Sequence, residues 1–289
     1  MKISFIAKLA NFILKKTKPS YMDSQSDVEE FLLKKSNQQK KYVKSIFKSF
    51  NFKGMQVFTI GNKSKSKNTI LYIHGGAFVN EVNLQHLFYS YILSRKLNAY
   101  VLVPVYPLTP DFNYSHSFKL IEELYACMLD EYDNIIFMGD SAGGGFIFSF
   151  CQYLNEINLK QPNQIVAFSP WVDISMSGEY SKYKFSDPIL GEIGLKNIGK
   201  SWAGNLNTTD YKVSPLFGDN KNLANTLIFT GTNELFYLDI KKYAEKLKNS
   251  GVNVKLIEKE GMFHIYPMFP IPEAKQALNQ IIEYVKFNE

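Results

Sequence analysis

The chain has 289 residues, which is enough to bury a large core as one α/β domain with additions. Its 45% hydrophobic and 15% aromatic content exclude a disordered protein. The net charge of +6 arises in residues 1–53, which hold twelve lysines, four acidic residues and no arginine. Surfaces that read nucleic-acid bases combine arginine with aromatic side chains, so this basic segment does not predict nucleic-acid binding.

The N-terminal segment predicts an amphipathic helix with large apolar residues on one face and lysines off it. The apolar residues are Phe5, Ile6, Leu9, Phe12 and Ile13, and the lysines are Lys8 and Lys15. A charge within the stretch, and no small-residue cleavage site after it, argue against a signal peptide. Two interpretations stay open: the helix packs on its own protein, or it lies at a membrane surface. No run is long enough to span a bilayer.

From about residue 55 the chain alternates between short apolar runs and helical patterns. The predicted strands are residues 55–60, 69–73, 99–103, 135–138, 165–168, 226–229 and 252–257. The predicted helices lie around residues 87–97, 118–129, 146–154, 239–248 and 274–287. This alternation predicts an α/β fold with a mainly parallel central sheet flanked by helices. In such sheets, chemistry collects at the carboxyl ends of the strands.

Two segments interrupt the alternation. Residues 1–53 are basic and have helical patterns, with a second amphipathic stretch at Val43, Ile46, Phe47 and Phe50. Residues from about 172 to 215 hold turns and Trp202 but few strand signals. We expect residues 54–289 to form the core and both additions to form a helical cap over its active edge.

The two cysteines, Cys127 and Cys151, lie in apolar helical patterns, and we expect both to be small core residues. Because there is no cysteine framework, the sequence indicates neither an oxidising compartment nor a zinc site.

The most informative motif is Gly139-Asp140-Ser141-Ala142-Gly143, between a predicted strand and a predicted helix. A serine at such a corner is held in a strained backbone conformation that lifts its hydroxyl clear of the sheet. The flanking glycines are needed because a Cβ there would crowd the neighbouring strand and helix. Ser141 is therefore the candidate nucleophile.

A second glycine motif, His74-Gly75-Gly76, follows the predicted strand 69–73. Consecutive glycines after a strand let backbone N–H groups approach a ligand closely. The N–H groups of Gly75 and Gly76, with that of Ala142, are placed to receive the negative oxygen of a tetrahedral intermediate. The alternative is a plain Gly-Gly turn.

The candidate acid is Glu234, just beyond the predicted strand 226–229. A carboxylate in that place can orient a histidine and stabilise its imidazolium form. Asp239 is the rival acid, although its position near a helix start also suits an N-terminal cap.

The candidate base is His264, which follows the predicted strand 252–257. With it the chain order is serine, acid, histidine, and each of the three follows a predicted strand. The sequence therefore predicts covalent catalysis in which His264 takes a proton from Ser141. His86 and His116 lie in or near helical patterns without such a place, and we interpret both as structural.

These motifs together resemble the hormone-sensitive-lipase-like branch of the α/β-hydrolases, which are serine esterases, over about residues 69–287. The matching segments are His74-Gly75-Gly76-Ala77, Tyr106-Pro107-Leu108-Thr109-Pro110, Gly139-Asp140-Ser141-Ala142-Gly143-Gly144, Ser169-Pro170-Trp171, Asp187-Pro188 and Gly261-Met262-Phe263-His264. The resemblance implies a triad of Ser141, Glu234 and His264, and a cap over an acyl pocket. Ala77 departs from the family's usual third glycine, and Glu234 stands where the family more often has Asp.

We expect five aromatic side chains to set the size of the substrate pocket: Phe78, Trp171, Trp202, Phe263 and Tyr266. The predicted function is a cytoplasmic carboxylic ester hydrolase for small-molecule esters with short- to medium-chain acyl groups. The mechanism requires no metal and no organic cofactor. One alternative is an amidase or N-deacetylase of the same fold, and another is a non-catalytic hydrolase-like ligand-binding protein. Weak contact with a membrane surface, and a monomeric or homodimeric state, are left open.

Overall fold

The computed structural model describes residues 3–36, 43–183 and 186–287. In these ranges the chain forms a central sheet with helices on both faces, which confirms the predicted α/β fold. The parts of the predicted cap segments at residues 1–2, 37–42 and 184–185 lie outside the described residues.

The sheet contains all seven predicted strands and one more. In chain order they are β1 (Lys48–Phe52), β2 (Met55–Ile60), β3 (Asn68–Ile73), β4 (Ala99–Pro104), β5 (Ile135–Asp140), β6 (Gln164–Phe168), β7 (Asn225–Gly231) and β8 (Val254–Lys259). Across the sheet the order is β1-β2-β4-β3-β5-β6-β7-β8. β2 pairs antiparallel with β1 and β4, and the other neighbours are parallel. The carboxyl ends of β3, β5, β7 and β8 therefore meet at one edge of the sheet.

Helices cover both faces of this sheet. They are α1 (Phe5–Thr17), α2 (Gln25–Ser36), α3 (Leu84–Leu97), α4 (Tyr114–Glu131), α5 (Ser141–Glu156), α6 (Glu192–Ala203), α7 (Tyr237–Asn249) and α8 (Pro272–Phe287). One core holds side chains of α2, α4, α5, α6 and α7, and the other holds those of α1, α3 and α8. Because both faces are covered, β3 and β5 are buried along their whole length and show no polar alternation.

The expectation that residues 1–53 are helical is wrong for the last part of that segment. Lys48–Phe52 is a strand that pairs antiparallel with β2. The two strands join through Lys53 and Gly54, whose φ angles are 49° and 89°. Positive φ at both central residues is typical of the tight turn that matches the twist of a hairpin. The Lys53-Gly54 pair directly before the apolar run of β2 was the available signal for it.

The N-terminal helices contact different faces of the molecule. α2 and the short turn Ser20–Met22 pack on α6, where a Cβ at Gly194 would lie 2.6 Å from the carbonyl oxygen of Tyr21. α1 instead packs on α8. The contact between α2 and α6 fits the predicted cap, and that assignment stays a prediction.

The two cysteines differ in their exposure to solvent. Cys151 is buried as expected, whereas Cys127 is exposed on α4, so the prediction for Cys127 is wrong. α4 has a wide polar side, and periodicity alone did not place this small residue on it.

Within the described ranges, no helix has the length and apolar character that crossing a bilayer requires.

Candidate functional site

Ser141 stands at the corner between β5 and α5. Its φ is 52°, in the left-handed region, and its side chain is 6% exposed. A Cβ at Gly139 would lie 2.7 Å from the carbonyl oxygen of Gly143, and a Cβ at Gly143 would collide with that of Ile73. Only glycine at both flanking positions lets the chain turn this sharply against the sheet.

The loop after β8 brings His264 to this corner. Its Nε2 lies 2.8 Å from Ser141 Oγ, and its Nδ1 lies 2.6 Å from Glu234 Oε2. An ionised carboxylate only accepts hydrogen bonds, so Nδ1 donates to Glu234 and the lone pair of Nε2 faces the serine hydroxyl. All three side chains are buried. The arrangement links a hydroxyl, an imidazole and a carboxylate in one hydrogen-bonded chain.

The second carboxylate oxygen of Glu234 is held by three donors. Oε1 accepts hydrogen bonds from Ser169 Oγ at 2.9 Å, Thr230 Oγ1 at 2.5 Å and the Gly231 N–H at 2.8 Å. Ser169 Oγ also accepts from the Ile265 N–H at 2.9 Å. One serine thus connects the loop that carries the acid to the loop that carries the histidine. No local sequence pattern indicated these roles of Ser169 and Thr230.

The rival acid Asp239 points to a different partner. Its Oδ2 accepts a hydrogen bond from Tyr180 Oη at 2.5 Å. Burial raises the pKa of Asp239 to about 6, although the Tyr180 hydrogen bond opposes this. No contact between Asp239 and His264 occurs among the described residues.

Asp187 is a buried acid that the sequence analysis noted only as part of a motif. It accepts from the Leu235 N–H at 2.7 Å and from the N–H groups of Ile189 and Leu190 at 2.8 Å. Burial raises the pKa of Asp187, although its electrostatic interaction with His264 and these N–H groups oppose the rise. Asp187 therefore fastens the residue that follows Glu234.

The glycine loop differs from expectation at Gly75. Its N–H donates to Asp140 Oδ1 at 3.0 Å, so it is not free to receive an oxyanion. The sequence could not reveal this because it requires Asp140 to turn back under the loop. The N–H groups of Gly76 and Ala142 have no hydrogen-bond acceptor in the described part of the chain. Gly76 has a φ of 108° and Ala77 a φ of 55°, so Ala77 takes up a conformation that favours glycine.

Asp140 is the centre of a buried polar cluster under the glycine loop. Besides Gly75 it contacts Tyr72 Oη at 2.8 Å and His86 Nε2 at 3.5 Å. Burial opposes ionisation of Asp140, but its electrostatic interaction with His86 and hydrogen bonds from His86, Tyr72 and Gly75 hold its pKa below the usual value. His86 also caps α3 together with Asn83. It is therefore structural, as expected, and additionally contacts the residue before Ser141.

The two remaining histidines have structural partners. His116 caps α4 with Asn113, as its structural interpretation implied. His74 Nδ1 lies 2.7 Å from the carbonyl oxygen of Gly75, so it carries the hydrogen and Nε2 keeps a lone pair. Burial lowers the pKa of His74 to about 3, and the ring is neutral. A neutral ring here adds no charge beside Ser141.

Buried aromatic rings form a wall next to the serine and the histidine. Phe78 and Trp202 stack in parallel with centroids 4.1 Å apart, and Phe78 lies 5.7 Å from Trp171. Trp171 stacks on Phe236 at 5.7 Å, and Phe236 meets the His264 ring edge-on at 5.3 Å. Phe236 was missed, although an aromatic residue so close to the candidate acid was a usable signal. The wall joins the segment at residues 172–215, through Trp202, to the candidate base.

The other two predicted pocket residues lie elsewhere. Phe263 and Tyr266 belong to the core on the opposite face of the sheet, and Phe263 packs edge-on against Phe269 at 4.9 Å. In the loop after β8, Phe263 packs into this second core while His264 faces Ser141. Ile265, with a φ of 50°, then redirects the chain before Tyr266.

Metal ligation has no candidate here. In the residues that the structure describes, no three or more His, Cys, Asp or Glu side chains are grouped so that they could hold a metal ion. The chemistry that the site offers is nucleophilic attack by a hydroxyl, with an oriented base and free backbone N–H donors beside it.

Comparison with known proteins finds relatives over most of the chain. A family described as alpha/beta hydrolase fold matches residues 70–268. An esterase of Acinetobacter venetianus is 28% identical over 239 residues, which are 80% of this chain and 78% of the relative. A solved Staphylococcus aureus structure, proposed to be an esterase, has 26% identity and a TM-score of 0.86, and the match covers 94% of this chain and 98% of that one. An esterase from the bacterial hormone-sensitive lipase family shares the fold at 22% identity and a TM-score of 0.83, with coverage of 100% and 99%.

Proposed function

This chain belongs to the alpha/beta hydrolase fold family, and we propose that it cleaves small carboxylic esters through Ser141, His264 and Glu234. It is a hydrolase of the esterase and lipase type. The observation that carries the proposal is the hydrogen-bonded chain from Ser141 Oγ to His264 at 2.8 Å and from His264 to Glu234 at 2.6 Å. A serine becomes a nucleophile at neutral pH when a neutral imidazole accepts its proton and a carboxylate stabilises the cation that forms.

The first half of the reaction forms an acyl-enzyme. Ser141 Oγ attacks the ester carbonyl carbon while its proton moves to His264 Nε2, and the carbonyl oxygen becomes an anion. We assign the N–H groups of Gly76 and Ala142 as its donors, with the N–H of Ala77 as the next one available. The carbon–oxygen bond to the alcohol then breaks, and the alcohol leaves with the proton from His264.

The second half releases the acid. Water gives a proton to His264 and its oxygen attacks the acyl carbon, after which the bond to Ser141 Oγ breaks and the serine regains a proton. Three donors to Oε1 hold the Glu234 carboxylate in place beside His264 throughout. Each proton thus returns to its starting atom within one turnover.

The aromatic wall supports a preference for short- to medium-chain acyl groups. Phe78, Trp171, Trp202 and Phe236 are nearly inaccessible to solvent and stack on one another. A longer acyl chain must displace a packed ring, and packed rings resist displacement because interiors are close-packed. The wall therefore sets an upper limit on acyl length.

A p-nitrophenyl ester series from acetyl to dodecanoyl tests the proposal, with wild type and Ser141→Ala compared. We expect kcat to fall by about 10⁴-fold or more in the variant. Equal rates would remove the proposal. Matched p-nitroanilides in the same assay separate an amidase or N-deacetylase from an esterase. Labelling by a fluorophosphonate separates an enzyme from a ligand-binding protein, because only an activated serine reacts.

A further inference from the structure

α1 is firmly docked on the body of the protein. Ser4 caps it and binds Glu273 at the start of α8, with N–H to Oε1 at 2.7 Å and Oγ to Oε2 at 2.9 Å. At the other end Lys18 pairs with Asp23 at 2.9 Å. Ala7 is buried, and Ile3, Ala10 and Leu14 pack on the core between α3 and α8. The orientation of α1 is therefore determined by contacts at both ends and along one face.

The opposite face of this docked helix carries large apolar side chains in contact with solvent. Their exposed fractions lie between 48% and 79%, and the residues are Phe5, Ile6, Leu9, Phe12 and Ile13. Spacings of three, four and seven residues place them on one side of the helix. A patch of this kind on a protein surface marks an interaction site, since exposed apolar area costs free energy in water.

The charges around this face indicate what binds it. Lys8, Lys15 and Lys16 are exposed, and α1 contains no acidic residue. The Lys16 Nζ lies 4.4 Å from the centre of the Phe12 ring, so cationic and apolar groups adjoin. A second copy of the chain on this face would bring lysines against lysines, whereas an anionic surface pairs with them.

We propose that the exposed face of α1 binds an anionic lipid surface, with its apolar side chains entering the headgroup boundary and its lysines contacting lipid phosphates. Helices with a large apolar face and a lysine-rich polar face bind membranes in this way. Each lysine near an anionic surface contributes about a fivefold gain in affinity. The sequence left two interpretations open for this segment, packing on the protein and binding a membrane surface. In this proposal α1 does both, because one face packs on the protein and the other binds lipid.

Co-sedimentation of the full chain with vesicles tests the proposal. Vesicles of phosphatidylcholine alone are compared with vesicles that contain 30% phosphatidylglycerol, about one lipid in three as in anionic membranes. We expect wild type to sediment with the anionic vesicles only, and less so as salt is raised, because salt screens the lysines. One variant combines Phe5→Ser, Leu9→Ser and Phe12→Ser. A second combines Lys8→Gln, Lys15→Gln and Lys16→Gln, for which we expect about a hundredfold weaker binding.

Two control variants carry the same changes elsewhere on the surface. The apolar control combines Leu33→Ser, Phe217→Ser and Leu238→Ser, and the charge control combines Lys242→Gln, Lys248→Gln and Lys255→Gln, all exposed residues outside α1. Both should bind like wild type, and hydrolysis of a soluble ester reports that every variant is folded. The proposal is overturned if wild type does not sediment with anionic vesicles. It is also overturned if the α1 variants bind these vesicles as strongly as the control variants do. Wild type could also form a dimer and fail to bind vesicles. If the variant with serine at positions 5, 9 and 12 is then a monomer, the face mediates self-association instead.

Discussion

The N–H of Gly75 donates to Asp140 Oδ1 at 3.0 Å, and this bond joins the glycine loop to the residue directly before Ser141. The nucleophile and the candidate oxyanion donors are thereby positioned by one buried carboxylate. Tyr72 Oη donates to the same oxygen at 2.8 Å, so a second donor holds Asp140 in place. The geometry between Ser141 and Gly76 therefore depends on a residue that touches neither substrate nor His264.

Replacing Asp140 should impair turnover through loop position. Asp140→Ala leaves the Gly75 N–H without an acceptor, and we expect kcat to fall by about 10²-fold, comparable to the loss of one oxyanion donor. Asp140→Asn keeps an oxygen for Gly75 and Tyr72 and should remain within about tenfold of wild type. The values of kcat and KM are measured with p-nitrophenyl acetate, and KM should change less than kcat. Equal losses in the two variants would contradict a positioning role.

The candidate acid Glu234 and its rival Asp239 can be distinguished by charge removal. Glu234→Gln keeps size but loses the charge that stabilises the imidazolium, and we expect kcat to fall by about 10³–10⁴-fold. Asp239→Asn is the matched control, because Asp239 binds Tyr180 instead of His264, and its kcat should stay within about twofold. A larger loss in Asp239→Asn than in Glu234→Gln would reverse the assignment.

Asp239 should also make stability depend on pH. Its pKa in the folded protein is raised to about 6 from an ordinary value of 3.8, so the folded state holds the proton more tightly. The stabilising contribution is therefore fully present below pH 3.8 and is lost as pH rises through about 6. Asn carries no charge, so the free energy of unfolding of Asp239→Asn relative to wild type should increase by about 2 kcal/mol between pH 4 and pH 7.5.

Urea unfolding of both proteins at the two pH values measures this difference. Asp133→Asn, on the exposed surface, is the control for a change of net charge. The same relative stability of Asp239→Asn at pH 4 and pH 7.5 would refute the prediction.

Much of the site could be predicted because parallel strands share a direction. Ser141, Glu234 and His264 each follow a strand, and a parallel sheet brings the ends of those strands to one edge. The need for glycine at positions 139 and 143 also follows from local sterics, because a Cβ at either position would collide with the backbone. Local pattern and strand direction were therefore enough to place the three candidates near each other.

Other features depend on contacts that a local pattern does not encode. The antiparallel strand Lys48–Phe52 has a mixed polar sequence because it lies at the edge of the sheet, so it lacked the apolar run of the central strands. The partner of the Gly75 N–H comes from a residue 65 positions away. Which side Tyr266 faces depends on the φ of Ile265, and the sequence does not report it.

The aromatic wall predicts how acyl preference can be changed. Trp202 comes from α6 and closes the wall by stacking on Phe78 at 4.1 Å. Trp202→Leu removes ring volume but keeps the site apolar, and the freed space accepts further methylene groups. Each methylene that gains a place in an apolar pocket is worth about tenfold or more in specificity. We therefore expect the ratio of kcat/KM for the octanoyl over the acetyl ester to rise by at least about tenfold.

Tyr266→Leu is the matched control for this change. Tyr266 is as deeply buried as Trp202 but lies in the core on the other face of the sheet. Its substitution should lower stability by a few kcal/mol, as large-to-small core changes do, and leave the octanoyl-to-acetyl ratio where it is in wild type. Because the readout is a ratio, a general loss of activity in either variant does not affect it. If both variants shift the ratio equally, loosened packing and not the wall sets acyl length, and the pocket assigned to Phe78, Trp171 and Trp202 is in the wrong place.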